Sequence, residues 1–263
     1  MLEKSMIDVS VVIPFFNSEK TISRTLLSIC HQSLLPREVI IIDDCSANPE
    51  RLNHIVSQFS KQLNIKCIFQ TKNNGAAYAR NIGVDLASSS YIAFLDSDDV
   101  WHPKKLEVQY LFMLESGAYI SGHEYVQDLN KSNMQPNTKV RAQKIDKKNF
   151  IIGNPFFTPT IMIKSDMYLF NPNYRIVDDY CCWLENLKKG SAFLINSQLA
   201  GGFKAAIGAS GLTGNMQVMH EGYKLVLRDL YEKNEIGTLF YFLAILVETL
   251  KYPLRKLKCN LTK

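Results

Sequence analysis

Two hydrophobic periods alternate along the first hundred residues. Residues 9–15, VSVVIPF, form a β-branched run apolar enough for a strand buried on both faces. Pro14 and Asn17 end it. Residues 18–33 then carry Ile22, Leu26 and Ile29 at helical spacing, with Ser18 at the expected N-cap. Short apolar runs at 38–43, 65–71 and 91–95 predict three more strands, and residues 49–62 and 75–88 predict the helices between them. Pro49 suits the first turn of its helix. This alternation predicts βαβ units, hence an α/β fold with a mostly parallel sheet flanked by helices.

Further along, residues 104–116 predict a helix and 118–126 a strand. Residues 127–149 are polar and rich in Lys and Asn, which predicts a mobile surface loop. Residues 158–164 are strand-like, and 176–190 predict a helix opened by Asp178 and Asp179 and closed by Lys188, Lys189 and Gly190. There is no internal repeat.

The polar residues of interest follow predicted strands, where parallel sheets bind ligands. Pro14, Phe15 and Asn17 follow the first, Asp43 and Asp44 the second, and Asp96, Asp98 and Asp99 the fourth. Carboxylates crowded at the end of a buried strand repel one another, so the turn is either solvated or holds a divalent cation. Such oxygens suit Mg2+ or Mn2+, which take one or two protein carboxylates plus phosphate oxygens. The turn PFFNSEK holds no glycine, so the G-x-G-x-x-G pyrophosphate turn is missing, as is the P-loop. A diphosphate bound here needs a metal to neutralise it. Plainer readings stand beside these: Asp43 and Asp44 as caps, Arg80 as a helix-surface charge, Asp178 and Asp179 as complements of a helix dipole.

Composition narrows the picture. A chain of 263 residues, 46% hydrophobic and 21% charged, can bury a full core and is not a disordered one. The N-terminus lacks a signal-peptide apolar stretch. Six cysteines without a CxxC pair read as the reduced thiols of a cytoplasmic protein. The five histidines lack metal-ligand spacing, and Trp101 and Trp183 read as core or pocket wall. A net charge of +5 is mild, and no nucleic-acid partner is expected.

Five blocks in order, VSVVIPFFN, EVIIIDDCS, NNGAAYARNIG, YIAFLDSDDVW and VDDYCCWLENL, resemble the inverting glycosyltransferases of family 2, which have the GT-A fold. The resemblance covers about residues 8–200. It implies a nucleotide-sugar-binding catalytic domain over 1–200, and an acceptor-side segment with a helical tail over 201–263. Pro14, Phe15, Asn17 and Asp43 or Asp44 would surround the base and ribose, with Arg80 near the base or diphosphate. Asp96 would approach the ribose and Asp98 the metal, supported by Asp99, with Asp96 also a metal-ligand candidate. Asp179 would be the catalytic base. The family often has Glu before that Asp, so Asp178 is the second choice. The implied reaction is a one-step displacement: an acceptor hydroxyl, deprotonated by a carboxylate, attacks the anomeric carbon as the nucleoside diphosphate leaves. The expected donor is a UDP-sugar, and the expected acceptor a lipid-linked or cell-surface glycan. A polyprenyl-phosphate acceptor and a catalytically silent nucleotide-sugar-binding protein are the alternatives.

The tail adds a further expectation. The apolar stretch from Ile236 to Val247 falls short of the roughly 20 residues that span a bilayer. Glu248 and then Lys251, Arg255, Lys256 and Lys258 follow it. Such a segment fits a peripheral anchor on the anionic inner face of the membrane, remote from the chemistry at the metal. Packing on its own domain or in a homodimer is the competing expectation.

Overall fold

The computed structural model describes residues 5–203 and 215–261. Strands β1 (Met6–Phe15), β2 (Leu35–Asp43), β3 (Ile65–Phe69) and β4 (Tyr91–Phe94) run parallel in the order β3-β2-β1-β4. They are joined by α1 (Ile22–Cys30), α2 (Pro49–Ser57) and α3 (Ala76–Leu86). Val9, Val11, Val12 and Ile13 of β1 are fully buried, as a strand covered on both faces must be. Helix α1 buries Ile22, Thr25, Leu26 and Ile29, a single stripe at helical spacing. It begins at Ile22 rather than after Ser18, because residues 18–21 close a turn in which the Ser18 carbonyl accepts from the Thr21 and Ile22 amides. In α2, Asn48 caps the Arg51 amide and Pro49 occupies the first turn. Helix α3 lies so close to β1 that a Cβ on Gly83 would meet Val12 Cγ1 at 2.4 Å.

The second half extends the sheet. Here lie β5 (Val100–Trp101), α4 (Lys105–Ser116), β6 (Ile120–Val126), β7 (Ala142–Ile145), β8 (Met162–Lys164), α5 (Asp178–Asn186) and β9 (Ala192–Gly201). The order continues β8-β6-β9-β5, with β7 on β9, giving nine strands among the described residues. β8 is antiparallel to β4 and β6, β6 and β9 are parallel, and β5 and β7 run antiparallel to β9. The loop expected over 127–149 is therefore interrupted. Residues 142–145 pair with β9, and a 3-10 helix starts at Lys147, drawn in by the burial of Ile145 and Phe150. Neither β5 nor β9 shows a clean alternation along the chain; each exists because a partner strand satisfies its backbone. Trp101 and Trp183 are both buried.

Helices α6 (Met216–Glu232) and α7 (Thr238–Leu261) close the fold. One stripe of α7, including Ala244 and Ile245, packs on the domain, whereas Leu239, Phe242, Leu246, Leu250, Leu254 and Leu257 are exposed. Among the described residues no helix is long and apolar enough to cross a membrane. The glycine-rich stretch read as acceptor-side lies mostly at residues 204–214, outside the described residues. In the parallel half, the strand order reverses at β1, so the carboxyl ends of β1, β2 and β4 open on the crevice where such sheets place ligands.

Candidate active site

The turn after β4 is held from below by α1. Thr21 Oγ1 donates to the Ser97 carbonyl at 2.8 Å, Arg24 Nη2 to Asp98 O at 3.1 Å and Thr25 Oγ1 to Asp99 O at 2.8 Å. With these backbone oxygens satisfied by one helix, the turn is fixed, and Asp96, Asp98 and Asp99 line a cavity of about 640 Å3. Tyr125 of β6 donates its hydroxyl to Asp99 Oδ1 at 2.8 Å and stacks on Phe157, with ring centroids 5.1 Å apart.

Arg80 connects this turn to the second acidic block. Its Nη2 donates to Asp96 Oδ1 at 2.9 Å and its Nη1 to Asp178 Oδ2 at 3.2 Å, from a side chain only 9% exposed. It is not a helix-surface charge. Burial alone would lower its pKa, but Asp96 and Asp178 outweigh that and raise it.

Asp178 and Asp179 open α5 directly after Val177, whose φ of 67° is rare for a β-branched residue. Such strain costs on the order of 1–3 kcal/mol and recurs where a site demands it. Below the helix, Phe170 packs edge to face on both Phe94 and Trp183, which lie tilted to each other, with centroids 5.2–5.7 Å apart, so α5 sits on a close-packed aromatic base. Asp179 Oδ2 accepts from Asn154 Nδ2 at 2.8 Å. Burial, then the adjacent Asp178 charge, pushes the Asp179 carboxyl up to about 7. Asp178 is also raised by burial, but the Arg80 guanidinium opposes this. The two carboxylates thus differ in role: Asp178 is bound to a cation, and Asp179 faces the cavity poised near neutral pH.

The remaining expected residues lie apart from this cavity. Asp44 uses both carboxylate oxygens to hold the backbone amides of Asn74 and Gly75, at 2.9 and 2.7 Å. Asp44 thus caps not the segment that follows it, whose helix is capped by Asn48, but the turn before α3, which Gly75 permits at φ 93°. Asp43 Oδ1 accepts from the Ser46 amide. Asn17 ties the first loop to the second, since its amide donates to Ser46 Oγ and its Oδ1 accepts from Ala47 N. The Phe15 side chain is buried in the core, and its carbonyl accepts from the Asp44 amide. Of Phe15, only backbone is near the ligand edge; half-buried Pro14 precedes it.

The far wall of the cavity was not foreseen. Met219 and Tyr223 of α6 and Glu248, Lys251, Leu254 and Arg255 of α7 line the same space as Asp98 and Asp179. One stripe of the tail thus packs on its own domain, the competing expectation, and lines this cavity. Glu248 is 7% exposed and holds His220 Nδ1 at 3.0 Å together with Arg255. A carboxylate between two basic side chains draws α7 onto α6, which no local pattern announces. Asn154 and Tyr125 were missed for the same reason, being ordinary polar residues until the fold aims them.

Residues 10–170 match the Glycosyl transferase family 2 domain. The chain belongs to that family. TuaG of Bacillus subtilis, named for teichuronic acid biosynthesis, is 37% identical over 202 residues, covering 73% of this chain and 77% of TuaG. WfgD of Escherichia coli, a UDP-Glc:alpha-D-GlcNAc-diphosphoundecaprenol beta-1,3-glucosyltransferase, is 31% identical over 249 residues, 92% of this transferase and 94% of WfgD. The fold matches the GT-A fold of S. aureus TarS 1–349 with a TM-score of 0.68 at 19% identity, covering 92% of this transferase and 71% of that chain. TarS 1–349 has also been solved with UDP and with UDP-GlcNAc.

Proposed function

We propose that this transferase moves a sugar, with inversion, from a UDP-sugar to a hydroxyl of a lipid-diphosphate-linked glycan in the assembly of a bacterial polysaccharide. The observation that carries the reading is the single cavity lined by both the Asp96–Asp99 turn and Asp179. Inverting transfer needs one acidic site for the leaving diphosphate and another for the proton, and both open on one space. The relatives supply the chemical classes: WfgD uses UDP-Glc and a diphosphoundecaprenol-linked sugar.

Asp179 takes the acceptor proton. A carboxyl whose pKa is raised to about 7 is a competent base at neutral pH and still ionises there. Asn154 orients it by donating to Oδ2, so Oδ1 is the oxygen less committed to side chains. Arg80 bridges Asp96 and Asp178 and so links the two acidic blocks. Asp43 and the backbone of Pro14–Asn17 hold the nucleoside at the neighbouring strand ends. Asp44, spent on the Asn74 and Gly75 amides, shapes that pocket from behind.

The donor set of the turn fits Mn2+ or Mg2+. Among the described residues no three His, Cys, Asp or Glu side chains form an all-protein cage. These ions need only one or two carboxylates beside phosphate oxygens, which Asp98 with Asp96 or Asp99 supplies. Such an ion would neutralise charge on the departing diphosphate. The exposed leucines of α7, with Lys251, Arg255 and Lys256 beside them, support a peripheral seat on the anionic inner face of the membrane. Calorimetry of UDP with and without Mn2+, followed by transfer assays on lipid-diphosphate GlcNAc, tests the reading. Metal-independent UDP binding overturns the metal, and transfer to a polyprenyl phosphate instead of a hydroxyl overturns the base.

A further inference from the structure

The cavity is lined by groups of both signs: Asp96, Asp98, Asp99 and Asp179 on one set of elements, and Lys251 and Arg255, with Glu248, on α7. A metal-bound donor suits the acidic turn. The two cations of α7 have no counterpart in the donor. We propose that Lys251 and Arg255 form the binding site for the diphosphate of the acceptor, a proposal that rests on the lipid-diphosphate reading above.

Three features support it. Among the described residues Lys251 Nζ is engaged only by a neutral partner, the Ile152 carbonyl, so its charge is not cancelled by that contact. Arg255 Nη2 donates to Glu248, while among the described residues its buried Nε has no hydrogen-bond partner, so the guanidinium keeps unused donor capacity. The two cations are four residues apart on one helix, hence on one face, as two phosphates of a diphosphate require. Glu248, shared with His220, tethers Arg255 instead of neutralising the whole cluster.

Tyr223 lines the same cavity beside these cations, with Arg255 Cζ 6.0 Å from its ring centroid. Leu254, between the two cations and lining the same cavity, leads to the exposed Leu250 and Leu257, where the first carbons of the lipid can lie.

Calorimetry on the full chain in detergent tests this with two probes: GlcNAc-α-diphosphate bearing a short alkyl chain, and the alkyl GlcNAc glycoside lacking phosphate. The wild type should bind the diphosphate at least about tenfold more tightly, as charge-assisted contacts do. Lys251→Gln should lose most of that preference, Lys251→Arg should retain it, and the Lys251→Gln/Arg255→Gln pair should abolish it. UDP affinity should stay unchanged in each, which shows that the fold survives. Equal binding of the two probes by the wild type, or a preference that persists in the double variant, removes this site and leaves the acceptor reading standing. If the wild type binds UDP but neither probe, the lipid-diphosphate acceptor itself is wrong, and the site falls with it.

Discussion

The acid-bearing wall of the cavity and the α6–α7 wall are built in opposite ways. The first is a strand end and a turn, held by three donors, from the N-cap Thr21 and from Arg24 and Thr25 of α1, to three successive backbone carbonyls. Its acidic residues sit within four positions of one another. The second gathers Asn154, Tyr223, Glu248, Lys251 and Arg255 from segments about a hundred residues apart. The family 2 match covers residues 10–170, so α5, α6 and α7 lie beyond it. On the proposed reading, the nucleotide diphosphate is held by a compact local device, and the wall assigned to the acceptor is assembled from distant pieces.

That contrast can be broken most forcefully at Asp179. Asp179→Asn should lower the transfer rate by about 10²–10⁴-fold while UDP affinity stays within a few-fold, because the base acts on the acceptor. Near-normal turnover in this variant, with loss in Asp178→Asn, would reverse the roles of the pair. The same substitution should not cost stability. The folded pKa of about 7 lies above the ordinary aspartate value of 3.8, so ionising Asp179 destabilises the fold as pH rises between those values. Thermal unfolding of Asp179→Asn above pH 7 should match or exceed the wild type.

The acidic wall gives the next effect. Asp98→Asn should weaken Mn2+-dependent UDP binding by roughly tenfold to a hundredfold, the scale of lost contacts to a charged group. Phosphate-dependent binding of the acceptor probe should stay intact. Calorimetry that finds both affinities reduced together would mean the two walls are not independent.

A smaller effect falls on the scaffold. Gly83→Ala forces a methyl within 2.4 Å of Val12 Cγ1, and overpacking of this kind costs about 1–3 kcal/mol. Denaturant unfolding should show the loss. A neutral result would mean that α3 can lift from β1 without penalty.

The smallest effect sharpens the comparison within α5. Asp178→Asn removes the charge that helps raise Asp179, so the acidic limb of the pH–rate profile should move below pH 7. A limb that stays in place would show that burial alone sets the Asp179 pKa.

Much of the acidic wall was legible before any coordinates. VSVVIPF, EVIIID and YIAFL are apolar runs whose length and β-branching leave little alternative to buried strands, and the acids follow them directly. The order of helices and strands then decided where those acids stand, since parallel sheets expose their carboxyl ends on one edge. Period and adjacency are properties of neighbouring residues, so the chain states them openly. Three outcomes depended on contacts that adjacency cannot encode. Arg80 became a link because α3 packs with that side chain between Asp96 and Asp178. Asp44 turned to the backbone because the Asn74 and Gly75 amides came within reach. Ile236 to Val247 read as a tail, yet one stripe of it packs inward and carries Glu248, Lys251 and Arg255 to the cavity. A helix face is chosen by the surface it meets, and that surface is assembled from residues far away in the chain, so tertiary packing alone decided it.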